Sequence, residues 1–429
     1  MCIKLLLSLL LLLGISAPGV SQETIEKSFT LKDVRYLIHQ NRSVIVGNMS
    51  RDIAAENLSQ QKSLRLPEIM LDGDGHLLNN RPMGAGSPSA SNSFLYQFKL
   101  SSEFDVYVGG RHTYAIERMQ KEHRLSQERL DAVEQDVQLK AYILLYDIHR
   151  NIKYRDFIIS SIHLREKEYE RIDQLYKNGY VLKSDLLRSK LYITDLQKKE
   201  VEISNSIVIL SDQFCRLLGL NTRYLVRPDL DDDLDYKIIN SFEVLFSQAI
   251  LESPHLKMQR TIKEREETAL KEIYALRRPS LKIYANYGVG SPAPVYDFNH
   301  QLGGEVGAKL SFSLSSFYKS KHQTRAQKRV VEREKVLYDD EEERLRNTLY
   351  EMYTRYHESL LNIDRALEKI DMSEESHRIL TNSYYNQQAL LIDVLESETK
   401  SMEASFEWVE AVVDSQKYYW ALKQLCGAL

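Results

Sequence analysis

The residues best suited to chemistry are few and stand far apart. The histidines are scattered, and no HExxH, CxxC, GxSxG or Walker pattern gathers a ligand set, a nucleophile or a phosphate cradle. Gly84-Ala85-Gly86-Ser87-Pro88 and Gly288-Val289-Gly290-Ser291-Pro292 have the glycines of a phosphate loop, but neither runs on into Lys-Ser or Lys-Thr. They read as turns joining strands. Asp393 and Glu396 lie three apart; alone, they are a hairpin-start acid and a solvated carboxylate. Cys215 and Cys426 can pair in an oxidising compartment, although thiols on long helices are more often simply buried. With 57 basic and 61 acidic side chains, the formal charge of −4 gives nucleic acid nothing to hold. Neither an enzyme, a cofactor site nor a metal site is expected.

The elements around these residues are more informative. At 43% hydrophobic and 28% charged, the chain is too polar for a bundle of membrane helices. Its long apolar run, Leu5 to Ile15, follows Lys4 and precedes small residues up to Ser21. That is a secretory signal peptide, cut after Ser21, and at roughly ten residues it is too short to span a bilayer. Cys2 leaves with it and precedes the apolar stretch, so it is no lipid-attachment site. Any insertion of the exported chain must then use β-structure.

The chain also contains itself twice. Leu64-Arg65-Leu66-Pro67 returns as Leu276-Arg277-Arg278-Pro279, Leu100-Ser101 as Leu310-Ser311, and Arg111-His112 as Lys321-His322. Tyr176 with Ser184-Asp185-Leu186-Leu187 matches Tyr384 with Ile392-Asp393-Val394-Leu395, and Leu218-Gly219 matches Cys426-Gly427. The expected domains are a first repeat over 22–220, an acidic linker over 221–240 with Pro228, Asp229, Asp231, Asp232, Asp233 and Asp235, and a second repeat over 241–429.

Each repeat reads as a helix, a strand pair (about 66–108 and 281–314) and a long helical hairpin (111–218 and 320–427). Period-two alternation marks the strands. Leu302, Gly304, Val306, Ala308, Leu310, Phe312 and Leu314 share one face, opposite Gly303, Glu305, Gly307, Lys309, Ser311 and Ser313. Leu281, Ile283, Ala285, Tyr287 and Val289 oppose Lys282, Asn286 and Gly288, with Tyr284 ambiguous. In the first repeat, Ile69, Leu71 and Leu77 oppose Glu68, Asp72, Asp74 and His76; Phe94, Tyr96, Phe98 and Leu100 oppose Gln97, Lys99 and Ser101. Four strands close no lumen, but three copies would supply about twelve, enough for a water-filled barrel.

From Arg111 to Asn178 there is no proline or glycine, a run that reaches ~100 Å as a helix. Its return arm carries a 4–3 seam: Leu182, Leu186, Ser189, Ile193, Leu196, Glu200, Ile203, Ile207, Leu210, Phe214 and Leu217. The second repeat keeps the register from Val394 through Ser397, Ser401, Ala404, Trp408, Ala411, Ser415, Tyr418 and Leu422 to Leu425. Asn178-Gly179 ends one helix, and Ser184 is expected to cap the next. Gln387 stands where Gly179 does, so Asn386 is expected to take the left-handed position there.

The duplicated plan, the strand exit Phe104-Asp105-Val106-Tyr107-Val108-Gly109-Gly110-Arg111 and the turn from Tyr176 to Leu187 resemble the TolC-like outer-membrane efflux protein family. The resemblance covers essentially the whole exported chain. It implies a mainly α protomer that trimerises into a 12-stranded membrane β-barrel continued by an α-helical periplasmic tunnel. It implies a passive conduit for efflux or type I secretion, docking a periplasmic adaptor (a membrane fusion protein) and an inner-membrane transporter, with outer-membrane lipid around the barrel. It places a periplasmic constriction at Asp393 and Glu396, where the three copies together would ring an axis with negative charge. It places adaptor docking at the tip turns Asn178, Gly179, Ser184, Asp185, Asn386 and Gln387. The alternative is a periplasmic coiled-coil adaptor or scaffold, which would have one hairpin flanked by small β-domains. A diffusion porin is disfavoured by the helical content.

Overall fold

Long helices without a glycine or proline interruption and short alternating strands divide the chain cleanly. The computed structural model describes residues 25–78, 93–230, 239–290 and 301–429. The expected signal peptide, the 84–88 turn, Ser291, Pro292, Asp231, Asp232, Asp233 and Asp235 lie outside them.

The first part runs β1 (Ile25–Phe29), α1 (Leu31–Leu37), α2 (Arg42–Ser63), β2 (Glu68–Leu78), β3 (Ser93–Val108), α3 (Arg111–Lys177), α4 (Lys183–Leu217) and β4 (Tyr224–Pro228). The second runs α5 (Phe242–Glu252), α6 (Pro254–Ala275), β5 (Ser280–Gly290), β6 (Gln301–Ser311), α7 (Ser316–Tyr385) and α8 (Leu391–Leu425). Local signals set the boundaries. Asn41 accepts from the Ser43 and Val44 amides at 2.7 and 3.3 Å, capping α2. Thr30 and Asp33 cap α1 reciprocally, at 2.8 and 3.2 Å. Pro254 opens α6, where its missing amide is no loss.

One expectation needs correction. The segment 221–240 is not all linker, because β4 pairs in parallel with β1, Ile25 opposite Tyr224 through Phe29 opposite Pro228. The reason is packing: Phe29 and Phe214 meet edge to face at 5.3 Å, and Ser211 Oγ accepts the Val226 amide at 3.2 Å.

Nor do the sequence repeats coincide with the compact units. Of the described residues, one unit takes those within Met1–Leu37, Ala141–Asp233 and Arg365–Val413; the other takes those within Ile38–Lys140, Leu234–Asp364 and Asp414–Leu429. Each repeat contributes to both, because its long helices run past the boundary. In the first unit, α3, α4 and α8 meet around Ile158, Leu196 and Met402, and again around Ile172, Leu391 and Leu395. Of the seam on α4, Ser189, Ile193, Leu196, Ile207 and Phe214 are buried. Leu182 precedes the helix as its N-cap residue and is exposed, so the seam starts later than the spacing implies. In the second unit, Leu245, Ala249 and Leu256 pack with Leu345, Leu349, Tyr356, Leu422 and Cys426. Cys215 and Cys426 are both buried and free. Their sulfurs lie against the carbonyls of Tyr224 and Leu245 respectively, at 3.8 and 3.7 Å.

Candidate functional site

The second unit holds a four-stranded antiparallel sheet in the order β2-β3-β5-β6. Its register sorts most side chains onto two faces, with Met70 and Ser102 as exceptions and one bulge between Asp105 and Tyr107. On one face Asp72 opposes Lys99, Ser101 opposes Asn286, Lys282 opposes Lys309, and Asn286 opposes Glu305. On the other, Leu71 opposes Leu100, Leu100 opposes Tyr287, Ile283 opposes Ala308, and Leu281 opposes Leu310. Tyr284, ambiguous by sequence, opposes Gly307 and Glu103 and so belongs to the polar face. Its ring fills the space over Gly307, where a Cβ would come within 2.5 Å. Strand β6 ends at Ser311, so Phe312 and Leu314 fall beyond the alternating stretch.

The polar face is knit by its own contacts. Lys282 Nζ sits 3.2 Å from Asp105, which also meets His112 at 3.1 Å, and Asn286 donates to Glu305 at 2.6 Å. The apolar face has no such partners: Val306 is 81% exposed, Leu71 76% and Leu310 74%. Large aliphatic side chains this exposed along a face demand an apolar neighbour that the described residues do not supply. Among the described residues the outer edges of β2 and β6 also pair with nothing, and free sheet edges attract further strands.

The hairpin turns lie in the other unit, and the two have the same backbone. At the first, Gly179 N–H donates to Tyr176 O and Tyr180 N–H to Leu175 O, both at 2.9 Å. At the second, Gln387 N–H donates to Tyr384 O at 2.9 Å and Gln388 N–H to Ser383 O at 2.8 Å. Both are Schellman motifs, which need a left-handed residue at the first of the two donors. Gly179 has φ 78° and Gln387 itself has φ 60°. The expected shift to Asn386 does not occur, because the paired bonds fix which residue turns. A left-handed glutamine carries roughly 1–2 kcal/mol that glycine avoids.

Ser184 does not cap α4 either. The cap residue is Leu182, without a side-chain bond, and Asp185 N–H donates to Leu182 O at 3.0 Å. Asp393 occupies the matching place: its amide donates to Leu390 O at 3.1 Å, and its Oδ2 accepts the Leu390 amide at 3.2 Å. It therefore closes the first turn of α8 with one oxygen. Glu396, one turn on, is exposed. Burial with Asp185 nearby pushes Tyr384 up to about 12, and the Arg171 guanidinium lies 4.7 Å over the Tyr385 ring.

Sequence reasoning missed a charged cluster deep among these helices. Arg165 of α3 is 2% exposed and ion-paired with Glu398 of α8, itself 5% exposed, and with Glu168. The signal was present in a second stripe on α8, Leu391, Leu395, Glu398, Met402, Val409 and Val413, all buried.

No protein-family model and no curated protein matches the chain. Solved structures do. The outer-membrane channel OprN superposes with a TM-score of 0.81 at 12% identity, covering 93% of this chain and 90% of that one. The outer membrane protein VceC of Vibrio cholerae gives 0.77 at 14%, covering 92% and 96%. CusC, described for its folding and transmembrane channel formation, gives 0.80 at 11%, covering 95% and 94%. Identity this low makes the likeness one of fold, and coverage makes it a likeness of whole chains.

Proposed function

We propose that this chain, which has the fold of TolC-like outer-membrane channels, is the channel subunit of a tripartite efflux or type I secretion system. Three copies close their sheets into one barrel in the outer membrane, with the long helices in the periplasm. The observation that carries this reading is the two-faced sheet: four antiparallel strands in register save for one bulge between Asp105 and Tyr107, one face exposed and apolar, the other charged. Lipid would cover the first face and water fill the second, as in membrane barrels. The conduit is passive; a periplasmic adaptor and an inner-membrane transporter supply the energy and dock at the turns around Asn178, Gly179, Ser184, Asp185, Asn386 and Gln387. Asp393 and Glu396 form the constriction, the free oxygen of Asp393 and the exposed Glu396 carboxylate giving the axis its negative field. A periplasmic adaptor fits less well, since both repeats of this chain place an amphipathic strand pair before a long hairpin.

The test is envelope fractionation with trimer yield. The wild type is expected in the outer membrane as a trimer. Val306→Asp, on the apolar face, lowers trimer yield, since a charge at mid-bilayer on a barrel costs on the order of 2–4 kcal/mol; Ser311→Asp, on the polar face, leaves it unchanged. A soluble periplasmic monomer, or an equal response of both faces, overturns the reading.

A further inference from the structure

The buried cluster around Arg165 joins helices that are distant in sequence. Its guanidinium faces Glu168 on its own helix and Glu398 on α8, and its Nη2 lies 3.2 Å from Nε2 of His377 on α7. On the other side of the ring, Nδ1 of His377 is 2.9 Å from Ser397 Oγ. Ser397 already donates its own proton to Val394 O at 2.7 Å, so the imidazole must be the donor there. That fixes the tautomer: Nδ1 carries the hydrogen, and Nε2 offers its lone pair to Arg165. From α4, Tyr192 packs beside the cluster, with its hydroxyl 3.2 Å from Thr399 Oγ1. On α7 itself, the adjacent Arg378 is taken up by Glu375 at 2.7 and 2.6 Å. The charged group facing the ring is thus the Arg165 guanidinium, which Glu168 and Glu398 hold from its other sides, with the Tyr192 phenol kept neutral.

We propose that His377 is a half-buried proton sensor that locks α7 to α3 and α8 while neutral and releases it on acidification. A proton on Nε2 removes the acceptor that Arg165 uses and sets two cations 3.2 Å apart, one of them the fully buried guanidinium, where water screens the repulsion less than at the surface. This device requires only the helical packing, so it stands or falls separately from the channel reading.

The electrostatics agree. Burial, and then the Arg165 charge, hold His377 below the ordinary imidazole value of 6.5. A base that binds its proton less readily when folded contributes its stability in full above that value. The contribution is lost as pH falls below it. Glu398 acts in the opposite sense: burial raises it above 4.5 despite the ion pair with Arg165, so the folded chain takes up that proton more readily. Its effect lies upward from the carboxylate range. Tyr192 is pushed up to about 12 by burial and then by Glu398 and does not titrate here.

The experiment measures unfolding rates of the full chain, in detergent, from pH 7.5 to 5.5. The wild-type rate should climb below the imidazole range, by at most about tenfold per pH unit, the limit for one proton. His377→Gln, which retains an acceptor for Arg165 and a donor for Ser397, should change less than about twofold over the same span. Glu398→Gln should keep the acid sensitivity, because the Arg165 charge that opposes protonation is then balanced by Glu168 alone. Parallel wild-type and His377→Gln profiles overturn the proposal, as does loss of acid sensitivity in Glu398→Gln alone. Hydrogen exchange, corrected for intrinsic rates, serves if a variant fails to fold. At pH 5.5 the wild-type segment 370–402 should exchange faster while 345–356 is unchanged; a uniform change, or none, contradicts a local lock.

Discussion

The two hairpins are one design in backbone and two in side chains. α3 and α4 are joined through the same paired amide bonds as α7 and α8, with a left-handed residue at the same step. Yet Leu187 at the start of α4 is 56% exposed, while Leu395, its counterpart on α8, is 7% exposed within the Ile172–Leu391 cluster. The first turn has glycine and a single acid; the second has a strained glutamine and two acids a turn apart. After duplication, hydrogen bonding held the turn, whereas burial and charge were free to separate. The α8 arm became the one packed on two sides, and it carries the two acids proposed to form the constriction.

The largest expected effect tests burial. Leu395→Ala should destabilise the protein by about 2–5 kcal/mol, the range for emptying a buried leucine site. Leu187→Ala should cost under about 1 kcal/mol, being an exposed position. Denaturant midpoints compare them directly. Equal losses would mean that a neighbouring copy covers Leu187 as fully as this chain covers Leu395, and the contrast between the arms would disappear.

The turns should respond in opposite senses and by less. Gln387→Gly is expected to stabilise by about 0.5–1 kcal/mol, relief of the left-handed backbone being offset in part by glycine's freedom when unfolded. Gly179→Ala should destabilise by about 1 kcal/mol. No atom lies within 4 Å of a Cβ built there, so that loss would be purely backbone strain. Thermal midpoints moving the same way in both variants would refute the shared-turn account.

The smallest stability change should accompany the largest functional one. Asp393→Asn with Glu396→Gln removes both charges, and Asn can still accept the Leu390 amide as Asp393 does at 3.2 Å. Stability should move by under about 1 kcal/mol, while block of the conducting trimer by divalent or trivalent cations weakens. Asp185→Asn should weaken block less, since no second acid follows it by one turn. Unchanged block in the double variant would place the constriction elsewhere.

Legibility followed the range of the interactions. Alternation over Leu302 to Leu310 foretold which face each residue joins, because a strand's period is a local property. Tyr284 was undecidable until the register set it against Gly307. The β1–β4 pair was invisible because two five-residue strands nearly two hundred residues apart carry no mutual mark. Arg165 and Glu398 drew no expectation: the second stripe on α8 marks Glu398 as facing a neighbour, but a charged residue on one helix does not name its partner on another. Gln387 was misread for a subtler reason: residue preference pointed to Asn386, but two backbone bonds outweighed it. Tertiary contacts decided the first three, and the turn's own backbone bonds the last.

Recording from the purified full chain in planar bilayers tests the central claim most directly. A trimer whose polar strand faces line one continuous water path should insert and give discrete, reproducible conductance steps, smaller when trivalent cations are added. A folded trimer that gives no conductance across repeated insertions would contradict the account, and would make the charged face of the sheet a surface for something other than water.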